Sequence, residues 1–269
     1  MQDEVQVYHH LGLGDHIICN GLMRELCKNY KKIYCFVRER NLHNVSFMYR
    51  DQPKIELIPV KGDLEVSSKF IKDIPLIKIG FENLDVSNKN FDKSFYEQLG
   101  YDFSLRWDNF YVKRDYETEE ELYKSLNSDN APYIFIHDDT SRGFIIDVSR
   151  INNQIKLIKC SDVFKPGNMR EAYKKYTIFH WMLVLERAKE IHCMDSSFKC
   201  LVESMPDIEG KLFYHEYVRG SSMKAISSMK KDWTIINDPS FSIKINSVIN
   251  KIHKKYKRKL SKIRHGFTG

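Results

Sequence analysis

The chain reads as an α/β protein built from two parallel-sheet units in series. Three observations carry that reading. Apolar strand-like runs alternate with helical patterns from the first residues. The alternation stops at an aromatic-rich stretch over 83–115 and resumes after a polar break at 127–130. The first strand also runs into a glycine-containing turn that opens a helix. Alternating β and α units of this length indicate parallel strands joined by crossover helices. We therefore expect two Rossmann-like β/α/β domains, 1–115 and 116–240, facing a cleft, followed by a basic tail over 241–269.

In the first unit the expected strands are Val5–His9, Lys32–Val37, Ile55–Val60 and Leu76–Ile79, with helices over Asp15–Tyr30, Asn41–Tyr49 and Leu64–Lys72 between them. Ile18, Leu22, Leu26 and Tyr30 recur at four-residue spacing, with Ile17 and Met23 beside them, which gives the first helix one core-facing stripe. Phe95, Tyr96, Tyr101, Phe103, Trp107, Phe110 and Tyr111 form an aromatic cluster read as a satellite core. The second unit opens with an acidic helix, Thr118–Leu126, whose Thr118-Glu-Glu-Glu121 start has the form of a capping box. Its strands are expected at Tyr133–His137, Phe144–Val148, Ile155–Ile158, Glu190–Met194, Lys211–His215 and Trp233–Ile236. Helices are expected over Ile178–Ala188 and Ser196–Ser204.

Composition narrows the function classes. The 269 residues are 42% hydrophobic and 29% charged, ordinary for a globular protein. No apolar run approaches the ~18–20 residues that span a bilayer. The acidic Met-Gln-Asp-Glu start passes straight into a strand, so no leader is expected. The six cysteines form no C-x-x-C pair and read as free thiols, which points to a reducing, cytoplasmic setting and gives no metal signal. Between Lys244 and Arg264 stand nine Lys/Arg and no Asp or Glu, more than the whole net charge of +7. Ile245, Val248, Ile249, Ile252, Tyr256, Leu260 and Ile263 give this tail an amphipathic helical rhythm. Residues 240–253 are expected to pack on the body. For 254–265 a peripheral contact with an anionic membrane stays open, and nucleic acid is the weaker expectation.

Three turns carry the chemistry. The first is Gly12-Leu-Gly14-Asp15-His-Ile17. It fails the dinucleotide fingerprint, because Ile17 stands where the third small residue belongs, and its acid would repel a phosphate at the helix start. Asp15 is therefore either a helix cap, a general base, or both. His16 beside it reads as incidental. The second turn is Asp195-Ser196-Ser197, between a strand and a helix, where amide and hydroxyl donors suit a pyrophosphate. The third is Asp138-Asp-Thr140-Ser141-Arg142, in which an Arg among hydroxyls can fork onto phosphate oxygens. Its aspartates lack a third carboxylate for a metal. Among weaker candidates, His180 could meet a base or ribose but equally caps its helix, and Arg38 could meet an acceptor anion. Glu203, two turns into the next helix, could reach a ribose but reads by default as a solvated helix glutamate.

In this order the pieces resemble the GT-B glycosyltransferases, and within them the heptosyltransferase-like, family 9-like branch. That branch has a G-D-x-I turn in its first domain and an A-x-x-[IV]-x-x-x-D-[ST]-G helix start in its second. Gly14-Asp15-His16-Ile17 and Ala188 through Ser196 match these patterns. The resemblance implies Asp15 as catalytic base, with Gly12, Gly14 and Arg38 on the acceptor side. It implies Asp195, Ser196 and Ser197 as donor contacts, with Thr140, Ser141, Arg142 and His180 nearby. The chain departs from the pattern in two places: the family's glycine after D-[ST] is Ser197, and its usual histidine three residues on is Cys200. It is also short for the group.

The expectation is a glycosyltransferase that moves a sugar from a nucleoside diphosphate sugar to an acceptor hydroxyl of a glycan or lipid-linked molecule. Inversion without a metal or other cofactor fits a base opposite the leaving group. Two rivals remain: a nucleotide-sugar epimerase or hydrolase of the same fold, and a non-catalytic protein that binds anionic polymer or membrane through its tail.

Overall fold

The computed structural model describes residues 2–81, 91–139, 143–151, 154–162, 175–219 and 227–237. The expected basic helix over 241–269 lies outside them, as do Thr140, Ser141 and Arg142. The first sheet contains β1 (Gln2–Tyr8), β2 (Tyr30–Arg38), β3 (Ile55–Val60) and β4 (Leu76–Lys78), all parallel, in the order β3-β2-β1-β4. The second contains β5 (Tyr133–His137), β6 (Lys156–Lys159), β7 (Glu190–Cys193), β8 (Lys211–His215) and β9 (Trp233–Ile236), in the order β6-β5-β7-β8-β9, again all parallel. The strand order reverses at β1/β4 in the first sheet and at β5/β7 in the second. Open α/β sheets bind ligands at such switch points, beyond the carboxyl ends of the strands. The turns holding Asp15 and Asp195 follow β1 and β7, so each stands at a switch point, and Asp138 and Asp139 of the third sequence-selected turn follow β5 at the second of these.

The expected Asp15–Tyr30 helix is two helices, α1 (Leu13–Ile18) and α2 (Asn20–Asn29). Tyr96 donates to the Ile18 carbonyl (2.6 Å), the acceptor a continuous helix would offer to residue 22, and the chain bends at Cys19. The helix expected over Leu64–Lys72 is shorter: α4 (Asp63–Val66) and a 3₁₀ turn to Lys69 follow α3 (Leu42–Tyr49). The aromatic stretch carries α5 (Lys93–Glu97) and α6 (Leu105–Asp108), and Phe95 and Tyr96 are fully buried in the main core, so the stretch joins that core instead of forming a satellite, while Tyr111 is exposed. At Gly21 the α2 backbone meets α6 so closely that a Cβ would collide with the Leu105 carbonyl.

Helix α7 spans Tyr116–Leu126, and its cap is Asp115, which accepts from the Thr118 amide (3.2 Å). The reciprocal bond comes from Glu119, which accepts from the Asp115 amide (3.2 Å), so the cap is Asp115, three residues before the expected Thr118. Phe144–Val148 is not a strand. Phe144 bridges back to Asp139, and Asp147 turns the chain by accepting from Ser149 N (2.9 Å). The Ile178–Ala188 helix is a 3₁₀ turn, Ile178–Trp181, continued by α8 (Met182–Glu186); α9 (Ser197–Ser204) follows β7.

One continuous apolar cluster runs through both halves, from Val5, Val7, Ile17 and Leu22 to Phe135, Trp181, Ile191 and Leu201. All six cysteines are free thiols and five are buried. No helix among the described residues is long and apolar enough to cross a membrane.

Candidate active site

Helix α1 begins at Leu13 with Gly12 as its N-cap, so Asp15 is a third-position residue and not the cap. Its carboxylate folds back over Gly12, where a Cβ would collide with Oδ2. Burial pushes the Asp15 carboxyl up to about 6. The charge of His10 and the Asp15 and Gly12 amides oppose the rise, and the Asp195 carboxylate adds to it. The last contribution places the two acids within electrostatic reach across the halves. Gly14 makes the approach possible, since its Cβ position lies 3.3 Å from Cys200 Sγ and 3.8 Å from Ser197 Cα. Helix α1 thus rests on the start of α9. The family's histidine position is filled here by the thiol that Gly14 packs on, which gives the Cys200 departure a steric reason.

On the second half, Ser196 caps α9 by accepting from Lys199 N (3.4 Å). The Ser197 and Phe198 amides, as the first two of the helix, stay available to an anion. Arg219, just past β8, donates to the Asp195 main-chain oxygen (2.8 Å) and to Oδ2 (3.1 Å). It neutralises the acid that would otherwise repel a phosphate at this turn. Sequence reading missed Arg219, although it follows a strand end as Arg142 does.

Behind these turns a buried polar network joins the halves. Arg106 and Asp92, both fully buried, form an ion pair, and Arg106 also donates to the Ser228 carbonyl (3.2 Å). Ser228 in turn donates to Asp92 through N and Oγ, both at 2.9 Å. Lys199 reaches Ser227 through two 3.0 Å bonds, and burial pulls its ammonium below the usual range. Glu203 is 1% exposed, not solvated. It accepts from Trp107 Nε1 (3.2 Å), Trp233 Nε1 (2.7 Å) and the Lys230 and Lys231 amides.

Two other candidates are placed away from this centre. His180 Nδ1 accepts from Thr177 N (2.9 Å), and its ring packs edge-on against Phe47 across the halves. It serves as a cap, and its ring is committed there. Arg38 stands at the carboxyl end of β2, paired with Asp63 (3.0 Å), whose other oxygen takes Tyr8 OH (2.9 Å).

The buried histidines predict acid sensitivity. Burial lowers His180 to about 4, and lowers His215, paired with His192 at 2.9 Å, to about 3. Between those values and 6.5 the unfolded chain binds protons that the folded chain refuses, so stability is present above 6.5 and falls as pH drops through the window. Denaturant titration should show stability falling between pH 7 and 4.5, by about 5 kcal/mol from these two histidines together. An unchanged midpoint would contradict the neutral assignment.

No protein-family model matches the chain, and no curated protein matches it. Among solved structures, the glycosyl transferase family 9 protein of Veillonella parvula DSM 2008 aligns with a TM-score of 0.55 at 13% identity, over 93% of this chain and 91% of that one. E. coli heptosyltransferase WaaC, solved with ADP-2-deoxy-2-fluoro heptose, aligns at 0.45 and 12% identity over 94% of this chain and 100% of that one. The paired parallel sheets with opposed switch points therefore have the GT-B fold. In fold the chain is similar to that family 9 structure.

Proposed function

We propose that the protein transfers a sugar from a nucleoside diphosphate sugar to an acceptor hydroxyl, with the reaction seated between the two switch points. The observation that carries this reading is the meeting of the Asp15 turn with the Asp195–Ser197 turn through Gly14. One side offers a carboxylate held in a half-buried turn; the other offers helix-start amides and a neutralised acid.

The chemistry follows from those groups. Asp15 takes the acceptor proton as the hydroxyl oxygen attacks the anomeric carbon. The bond from that carbon to the diphosphate oxygen breaks, and the departing negative charge meets the amides of Ser197 and Phe198. The Arg219 guanidinium stands beside them. Base and leaving group lie on opposite sides of the sugar, which predicts inversion in one displacement. Helix amides and a guanidinium supply the leaving-group stabilisation that a divalent ion supplies elsewhere. The acceptor approaches from the first half, at the carboxyl edge that holds Gly12, Gly14 and Arg38.

The test is a thermal-shift panel of UDP, GDP, ADP, CMP and their sugars. A matching ligand at about 100 times its dissociation constant should stabilise by roughly 2.7 kcal/mol. No response to any nucleotide would remove the proposal.

Gly12 provides a sharper check. Its φ of −72° and ψ of 145° suit alanine, so the backbone tolerates Gly12→Ala. The added methyl displaces only the Asp15 carboxylate. We expect an unchanged melting temperature and a loss of about 10²-fold in turnover, since small misplacements of a catalytic group cost that much. Full activity would show that the carboxylate position does not matter.

A further inference from the structure

Beneath the Asp15 turn lies a second cluster that the transfer chemistry does not use. Side chains alternate along β1, so His9 falls on the face of Val5 and Val7, beside Cys35, which pairs with Val7 across β2. Helix α1 crosses the same face and brings His16 down onto it, with the two imidazole rings 4.3 Å apart and nearly perpendicular. All three side chains are fully buried.

We propose that His9 Nε2, one ring nitrogen of His16 and Cys35 Sγ form a three-coordinate site for a soft, thiophilic metal ion. This inference is independent of the transferase reading. The three ligand atoms lie within 4.8 Å of one another, and Cys35 Sγ is 3.9 Å from His9 Nε2. Metal–nitrogen and metal–sulfur bonds of about 2.0–2.3 Å put trigonal ligands about 3.5–3.8 Å apart, so shifts of a fraction of an ångström to an ångström close the shell.

The tautomers fit as well. His9 Nδ1 contacts the His10 carbonyl at 2.7 Å, and a carbonyl only accepts, so the proton sits on Nδ1 and the Nε2 lone pair faces Cys35. A second-shell carbonyl on the far ring nitrogen is the usual arrangement of a metal-binding histidine. His16 supplies the independent sign: among the described residues neither of its ring nitrogens has a hydrogen-bond partner, although the ring is wholly enclosed. Sequence reading took His16 as incidental; only the sheet and α1 bring it together with His9 and Cys35.

Binding replaces the Cys35 proton, which leaves to solvent, and both imidazoles stay neutral. With Cu⁺ the buried site is then electrically neutral, and three ligands complete its shell. Zn²⁺ would leave a positive charge and a missing fourth ligand, so charge and coordination number favour Cu⁺.

The experiment loads the full-length protein with Cu⁺ under reducing, anaerobic conditions, or with Zn²⁺ in a parallel arm, then desalts it and measures metal per chain. About one equivalent of one ion is expected in the wild type. Cys35→Ser and His16→Ala should each retain at least about ten-fold less. Cys160→Ser, at a half-exposed thiol away from the cluster, should match the wild type. Loaded wild-type protein should show a thiolate-to-metal absorption band, and X-ray absorption should give two nitrogen ligands and one sulfur. That readout stands even if a variant fails to fold. Retention of neither ion by the folded wild type, equal retention by Cys35→Ser, or a first shell without sulfur would overturn the site.

Discussion

Replacing Asp15 with asparagine is expected to lower sugar transfer by about 10²–10⁴-fold, the range that a positioned general base contributes. The amide keeps the shape of the side chain, and the carboxylate is the costlier group to enclose, so the variant should fold and melt no lower than the wild type. Donor affinity should be unchanged, because the proposal has the diphosphate held by the opposite turn. The loss should therefore fall on kcat and not on KM for the donor, the pattern of an interaction made in the transition state. A stable Asp15→Asn protein with wild-type turnover would remove Asp15 from the mechanism.

The largest effect on stability is expected at Arg106. Its guanidinium is fully buried and pairs with Asp92, which is itself fully buried. Among the described residues, Arg106→Ala leaves that carboxylate with the Ser228 amide and hydroxyl as its partners. Breaking a buried pair from one side costs about 3–5 kcal/mol. In a chain of this size that corresponds to a fall in melting temperature of about 10 °C. The double variant Asp92→Leu/Arg106→Met removes both charges, so its loss should be smaller than the two single losses added. Additivity within about 0.5 kcal/mol would show that the pair is not coupled.

The sequence made visible whatever depends on near neighbours. Strands Ile55–Val60, Tyr133–His137, Lys211–His215 and Trp233–Ile236 have the expected ends, because each apolar run is bounded by turn residues or charges. The Asp15 and Asp195 turns were visible for the same reason: each follows a strand and opens a helix. What remained hidden depends on distant partners. The break at Cys19 is made by Tyr96, far along the chain. Glu203 looks solvated on its own helix and is buried only because Trp107, Trp233 and the Lys230–Lys231 backbone close around it. Arg219 looks like an ordinary loop residue until β8 sets it beside Asp195.

The departures from the family pattern also acquire a physical meaning. Cys200 and Ser197 lie where α1 comes down on α9, and Gly14 leaves room for a thiol. An imidazole at 200 would push the two turns apart. Beside that turn Arg219 pairs with Asp195 at 3.1 Å.

The central claim is that a nucleoside diphosphate binds between the two turns, and amide hydrogen exchange tests it most directly. With saturating nucleoside diphosphate, slowed exchange is expected in 195–200 and in 12–16, and little change with the nucleoside that lacks phosphates. Protection confined to other segments, or equal protection by the bare nucleoside, would contradict it.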